Sequence, residues 1–122
     1  MHRLIENGEI MLKSKRSKAC DIKKSVKDKV WERDKHRCII CQNPFAMPNA
    51  HFIARSHGGL GVEQNIVTLC HKCHEITDHT EHRQFMLNKI EKYLSSKYDN
   101  WNKEDLIYRK GYEFKSEICN TK

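Results

Sequence analysis

Long apolar runs are missing from this chain of 122 residues. Nothing in it approaches the roughly 18 consecutive apolar residues of a membrane-spanning helix, and its first residues lack the apolar stretch of a secretory signal. The expectation is a protein of the cytosol with no membrane partner. Apolar material is also sparse overall, with 38% hydrophobic and 8% aromatic residues. A single domain of this length with so little to bury benefits from a staple. No internal repeat is present, so the chain is not assembled from duplicated modules.

Fixed positive charge is scarce in the middle, although the chain as a whole carries +7. Residues 38–82 hold 2 Lys/Arg against 4 Asp/Glu, yet they contain six of the eight histidines. Residues 1–37 hold 12 Lys/Arg against 6 Asp/Glu, and residues 83–122 hold 9 against 6. Basic flanks of this kind suit a polyanionic partner, and a metal ion can supply the positive charge the imidazole-rich centre lacks.

The cysteines show where such a metal would sit. Disulfides are rare in the cytosol, where Cys-x-x-C pairs hold metal. Cys38 with Cys41 and Cys70 with Cys73 form two such pairs, separated by 28 residues. Zn²⁺ takes four thiolates in a tetrahedron, and each tight turn delivers two of them. The long loop between the pairs leaves room for a hairpin. Cys20 and Cys119 have no comparable spacing and read as incidental.

The spacing of apolar residues divides the rest. Residues 1–21, with the basic run from Lys13 to Lys18, lack a period and read as a flexible basic arm. Ile22, Val26 and Val30 recur at helical spacing and predict an amphipathic helix from Ile22 to Asp34. Residues 50–54 read as a first strand and residues 66–69 as a second, joined by a loop containing Gly58, Gly59 and Gly61. A helix is predicted from His74 to His82, with His74 and Asp78 one turn apart on one face. Phe85, Met86, Ile90, Tyr93 and Leu94 predict another from Arg83 to about Tyr98, and Asn102 is placed to cap a short one beyond. The expected organisation is an arm (1–21), a core with its lead-in helix (22–82) and a helical C-terminal extension (83–122).

Between the cysteine pairs, His51 falls on strand one, Asn65 just before strand two and His74 directly after Cys73. The intervals are 14 and 9 residues. This pattern resembles the HNH endonucleases, whose hydrophobic strand often runs into Cys-x-x-Cys-His, as residues 66–74 do here. The stretch from Val30 to Asp34 is similar to the family's lead-in helix. The resemblance spans about Trp31 to Asp78 and suggests a small, phage-type member. It implies a small α+β fold with a ββα-metal core stapled by zinc on Cys38, Cys41, Cys70 and Cys73, and flanked by helices. It further implies His51 as general base, His74 as ligand of a catalytic divalent cation such as Mg²⁺ or Mn²⁺, and Asn65 as a support for the loop. The substrate would be double-stranded DNA in a bacterial cytoplasm. A homodimer, or a phage packaging or recombination protein, is left open as a further partner.

The chemistry agrees with the residue types. A neutral imidazole takes a proton from water at physiological pH, and a divalent cation on phosphate oxygens acts as a Lewis acid. One position departs from the pattern. The residue before the general base is often a metal ligand in this family, and here it is Ala50. Asp78 is the first candidate to replace it, with His79 as competitor and Asn49 and His57 behind. Arg55 is a candidate contact to the scissile phosphate, since guanidinium suits phosphate oxygens. The alternative function is a catalytically inactive, zinc-stabilised module that binds nucleic acid.

Overall fold

The computed structural model describes residues 14–79 and 81–109. Residues 1–13, the larger part of the expected arm, lie outside that range, as does Cys119. Within it the protein is a small α+β structure around a two-stranded antiparallel sheet. No described helix is long and apolar enough to cross a membrane.

The chain enters on α1 (Lys15–Cys20), where the arm was expected to be flexible. Ser14 caps it by accepting a hydrogen bond from the Ser17 amide at 3.1 Å. Six residues are too few for a helix to persist alone. This one is held from outside, with Cys20 only 2% exposed. Next comes α2 (Lys24–Arg33), which starts two residues later than expected and buries Val30. Lys35 and His36 then take positive φ and turn the chain into the first cysteine pair.

Strand β1 (Ala46–His51) begins four residues and ends three residues earlier than its sequence suggested, and β2 (Ile66–Cys70) pairs with it from Ala46↔Cys70 to His51↔Ile66. The register slips between Met47 and Ala50, where Pro48 offers no amide to the ladder. Phe52 and Ile53 were expected to extend this strand. Instead their amides donate to Asn65, one to its backbone oxygen and one to its side chain, and the chain bends away. All five residues of β2 are buried. The edge of β2 away from β1 is closed at Thr68, whose amide donates to Asp34 and whose carbonyl accepts from Ile39.

Helix α3 (His71–His79) follows β2 without a loop, so it begins three residues before the expected start at His74. The Cys70 sulfur accepts the Cys73 amide at 3.4 Å and thereby satisfies one of the orphan donors of the first turn. A final long helix, α4 (Arg83–Lys97), buries Met86, Ile90 and Leu94 at helical spacing. These three belong to the same apolar cluster as Val67, Leu69, Cys38 and Cys70. Burial of each is worth about 1.5–3 kcal/mol relative to exposure. The helical segment that the sequence suggested as an extension therefore completes the core. A short 3-10 turn (Lys103–Leu106), capped by Asn102, closes the chain over the 58–60 loop through Leu60 to Leu106 and Tyr108 to Gly58 hydrogen bonds.

One buried ion pair ties the layers together. Arg33 grips Asp34 with two nitrogens, at 2.7 and 3.0 Å, and also donates to the carbonyls of Glu63 and Ile66. The Asp34 carboxylate accepts further bonds from the Thr68 amide and, at 2.6 Å, from the Tyr93 hydroxyl. That connects α2, β2 and α4 through one fully buried side chain.

Candidate functional site

The four paired cysteines converge. Their sulfurs all lie within 4.8 Å of one another, with Cys38, Cys70 and Cys73 buried and Cys41 exposed. None of them is in a disulfide. Cys41 and Cys70 sulfurs are 3.5 Å apart. That is far beyond a bonded ~2.05 Å and close to the ~3.8 Å edge of a tetrahedron with metal–sulfur bonds of ~2.3 Å. The set is positioned to hold a metal ion and is compatible with structural zinc. Burial pushes the Cys73 thiol well up, and its three sulfur neighbours add to the effect. Burial acts in the same direction on Cys38, but amide donors from Cys41, Cys70 and Ile40 outweigh it and bring that thiol down to about 7.

A separate cleft of about 350 Å³ lies between β1, α3 and the 54–56 turn. His51 from the end of β1 and His74 from α3 both line it, together with Asn49, Ala50, Arg55 and Asp78. Strand, strand and helix follow one another in sequence, and that order brings residues 51 and 74 to one cavity. His57 and His79 are exposed and are not among its lining residues.

His51 is half-buried, and its Nε2 lies 2.9 Å from the Cys20 carbonyl oxygen. A carbonyl only accepts, so Nε2 carries the proton and Nδ1 keeps a bare lone pair. Burial holds the His51 pKa below the ordinary imidazole value. Arg55 and His74 push the same way, while the Cys20 carbonyl and Asp21 oppose them. At neutral pH the ring is an uncharged acceptor.

His74 is fixed by its own helix. Its Nδ1 lies 2.9 Å from Asp78 Oδ2, one turn away, so Nε2 is the nitrogen left for a cation. Asp78, expected as a candidate metal ligand, spends this oxygen on the His74 ring. Ala50 is 4% exposed and brings no donor. Among the described residues the four cysteines are the one group of three or more His, Cys, Asp or Glu side chains with converging donors. His51, His74 and Asp78 are therefore not a closed cage.

Asn65 is fully buried and uses its whole amide. Oδ1 accepts from the Ile53 amide at 2.8 Å, while Nδ2 donates to the Ile53 and Leu60 carbonyls at 3.2 and 2.8 Å. The side chain thus clamps both ends of the loop that begins just after His51. Arg55 borders the cleft but is already engaged, donating to the Cys20 carbonyl at 2.7 Å and pairing with Asp21 at 3.0 Å.

The end of α1 was missed as part of this site. The Cys20 carbonyl touches both His51 and Arg55, and Arg16 donates to the Arg55 and Ser56 carbonyls. These contacts run through main-chain oxygens, which leave no mark in residue type or spacing. No family model matches the chain, and no curated protein matches it significantly.

Proposed function

We propose that this protein is a metal-dependent endonuclease of the HNH type that hydrolyses phosphodiester bonds in double-stranded DNA. One observation carries the reading: His51 and His74 line the same cleft, and the bond from His51 Nε2 to the Cys20 carbonyl leaves Nδ1 as the accepting nitrogen. In hydrolysis Nδ1 takes a proton from water as its oxygen bonds to phosphorus, and the bond from phosphorus to the 3′ oxygen breaks. The resulting imidazolium stays bonded to the Cys20 carbonyl, whose partial negative charge favours it. His74 would hold a cation through Nε2, with Asp78 orienting the ring from Nδ1. A bound Mg²⁺ or Mn²⁺ supplies Lewis acidity at the phosphate and offsets charge on the departing oxygen. Ala50 would offer such an ion no side-chain donor. The four cysteines hold a zinc ion of purely structural duty, since four thiolates leave no open position.

The same Ala50 favours a second reading, an inactive zinc-stabilised module that binds nucleic acid. Supercoiled plasmid with purified protein in Mg²⁺ or Mn²⁺ separates the two. Nicking that disappears in His51→Ala while DNA binding survives supports the enzyme. Binding by the wild type without cleavage in either cation supports the module.

A further inference from the structure

We propose that Arg16 and Gly61 are positioning residues, which press the Cys20 carbonyl against His51 and so hold the imidazole with Nδ1 bare. Neither reaches the cleft, and both act through main-chain oxygens of other residues. The use made of that Nδ1 rests on the nuclease reading above, but the placement of the ring does not.

The argument starts from the weakness of α1. A helix of six residues has no stability of its own, so the position of its last carbonyl is set by what grips it. Two grips are present. The Gly61 amide donates to the Ala19 carbonyl at 2.9 Å, next to the carbonyl that touches His51. The two backbones approach so closely that a Cβ on Gly61 would overlap the Asp21 carbonyl group, which is main chain and has no rotamer to yield. On the other side Arg16 reaches across with one nitrogen to two carbonyls of the 55–57 turn, at 3.2 Å to Arg55 and 3.0 Å to Ser56. The same turn sends Arg55 back to the Cys20 carbonyl and to Asp21. α1 and the turn therefore clasp each other, and His51 bonds to the carbonyl caught between them.

A clasp of this kind assigns the basic segment a duty beyond attraction of a polyanion. Arg16 spends its guanidinium on protein carbonyls, and a plain surface charge would not. Loosening the clasp lets the imidazole turn or exchange its proton between nitrogens, and a ring with the proton on Nδ1 cannot accept one from water there.

The test uses the full chain loaded with zinc, as Arg16→Ala, Arg16→Lys and Gly61→Ala. Imidazole nitrogen shifts of ¹⁵N-histidine protein, with the His51 signal assigned by its loss in His51→Ala, report the tautomer. The wild type is expected to show a single form with the proton on Nε2. Arg16→Ala and Gly61→Ala are expected to populate both forms, with Arg16→Lys in between. Cleavage by the two clasp-breaking variants is expected to lose on the order of 10- to 100-fold in kcat with KM within about twofold. Should Gly61→Ala fail to fold, Arg16→Ala alone decides, because its side chain lies on the surface. A wild-type tautomer retained in Arg16→Ala, or a rise in KM alone, overturns the proposal while leaving the nuclease reading intact. A tautomer that responds in a protein that never cuts DNA supports the clasp and removes the nuclease.

Discussion

His74 Nδ1 stands 2.9 Å from the Asp78 carboxylate, one helical turn further along α3. The pair is the arrangement by which a carboxylate fixes the tautomer and direction of a ligating imidazole. Both side chains are about two-fifths exposed, so charge attraction alone contributes little to stability. Replacing Asp78 by Ala should therefore leave thermal stability nearly unchanged and weaken binding of Mn²⁺ by about 10- to 100-fold, as removal of an outer carboxylate does elsewhere. Titration calorimetry of Mn²⁺ into zinc-loaded protein checks it. An Asp78→Ala variant with unaltered Mn²⁺ affinity would remove His74 and Asp78 as a unit of the site.

Three of the four paired cysteines, Cys38, Cys70 and Cys73, belong to the core cluster together with Val67 and Leu69. A structural zinc of this type contributes on the order of 10 kcal/mol, comparable to the whole stability of a small domain. Removing metal with a strong chelator should unfold the protein, with loss of far-ultraviolet helical signal and recovery on adding zinc. Cys73→Ser should behave like the chelated wild type. A chelated chain that keeps its circular dichroism spectrum, with metal analysis showing no zinc, would overturn the structural duty.

Asp34 offers a test that involves no metal. Its carboxylate is fully buried among Arg33, Tyr93 and the Thr68 amide. Asp34→Ala leaves the Arg33 guanidinium nearly buried without its counter-ion and a β2 amide without an acceptor. Breaking such a pair from one side costs about 3–5 kcal/mol. Urea unfolding at constant zinc should show that loss. Tyr93→Phe removes one bond and should cost only about 1 kcal/mol.

The pH dependence follows from His51. Burial lowers its pKa in the folded protein, so the unfolded chain binds the proton more readily. Stability associated with this group is complete above the ordinary imidazole value of about 6.5 and falls as pH drops from there towards the lower folded pKa. If His51 is the general base of the proposed nuclease, cleavage needs the neutral ring, and its acid limb should lie below about 6.5 rather than at it. Single-turnover cleavage across pH 4.5–8 with excess protein gives the limb directly.

What could be read from the sequence depended on the kind of contact. Cys-x-x-C turns are local, and their convergence needed only that two turns meet. The apolar period of Met86, Ile90 and Leu94 is likewise intrinsic to α4. The end of strand one was misplaced because it is set by a residue twelve or more positions away: Asn65 takes the Phe52 amide on its backbone oxygen and the Ile53 amide on its side chain. The position of Asn65 pointed to a loop support, and its buried amide has the geometry for that task. The Asp78 orientation of His74 was visible only as a shared helix face. The contact on His51 was invisible, because Cys20 makes it through a carbonyl oxygen, and Ala19, Arg55 and Ser56 accept the neighbouring bonds in the same way.

Asn65 itself allows a prediction in which two substitutions separate shape from charge. Asn65→Ala strands the Ile53 amide and the Leu60 carbonyl in a buried place, at about 1–3 kcal/mol for each unsatisfied group. Asn65→Asp keeps the acceptor for Ile53 but places a carboxylate oxygen where Nδ2 now faces two carbonyls. Burial and those carbonyls both disfavour the ionised form, so the folded-state pKa of this Asp is raised above the ordinary ~3.9. The folded protein then binds the proton more readily than the unfolded chain. The penalty is therefore full above the raised folded pKa and shrinks as pH falls from there towards about 3.9, because a protonated Asp can donate to one carbonyl. Asn65→Asp should be less stable than Asn65→Ala at pH 7, with the gap narrowing at pH 5 by urea unfolding. A gap unchanged between the two pH values would mean that the loop has opened in Asn65→Asp and admitted water to the carboxylate.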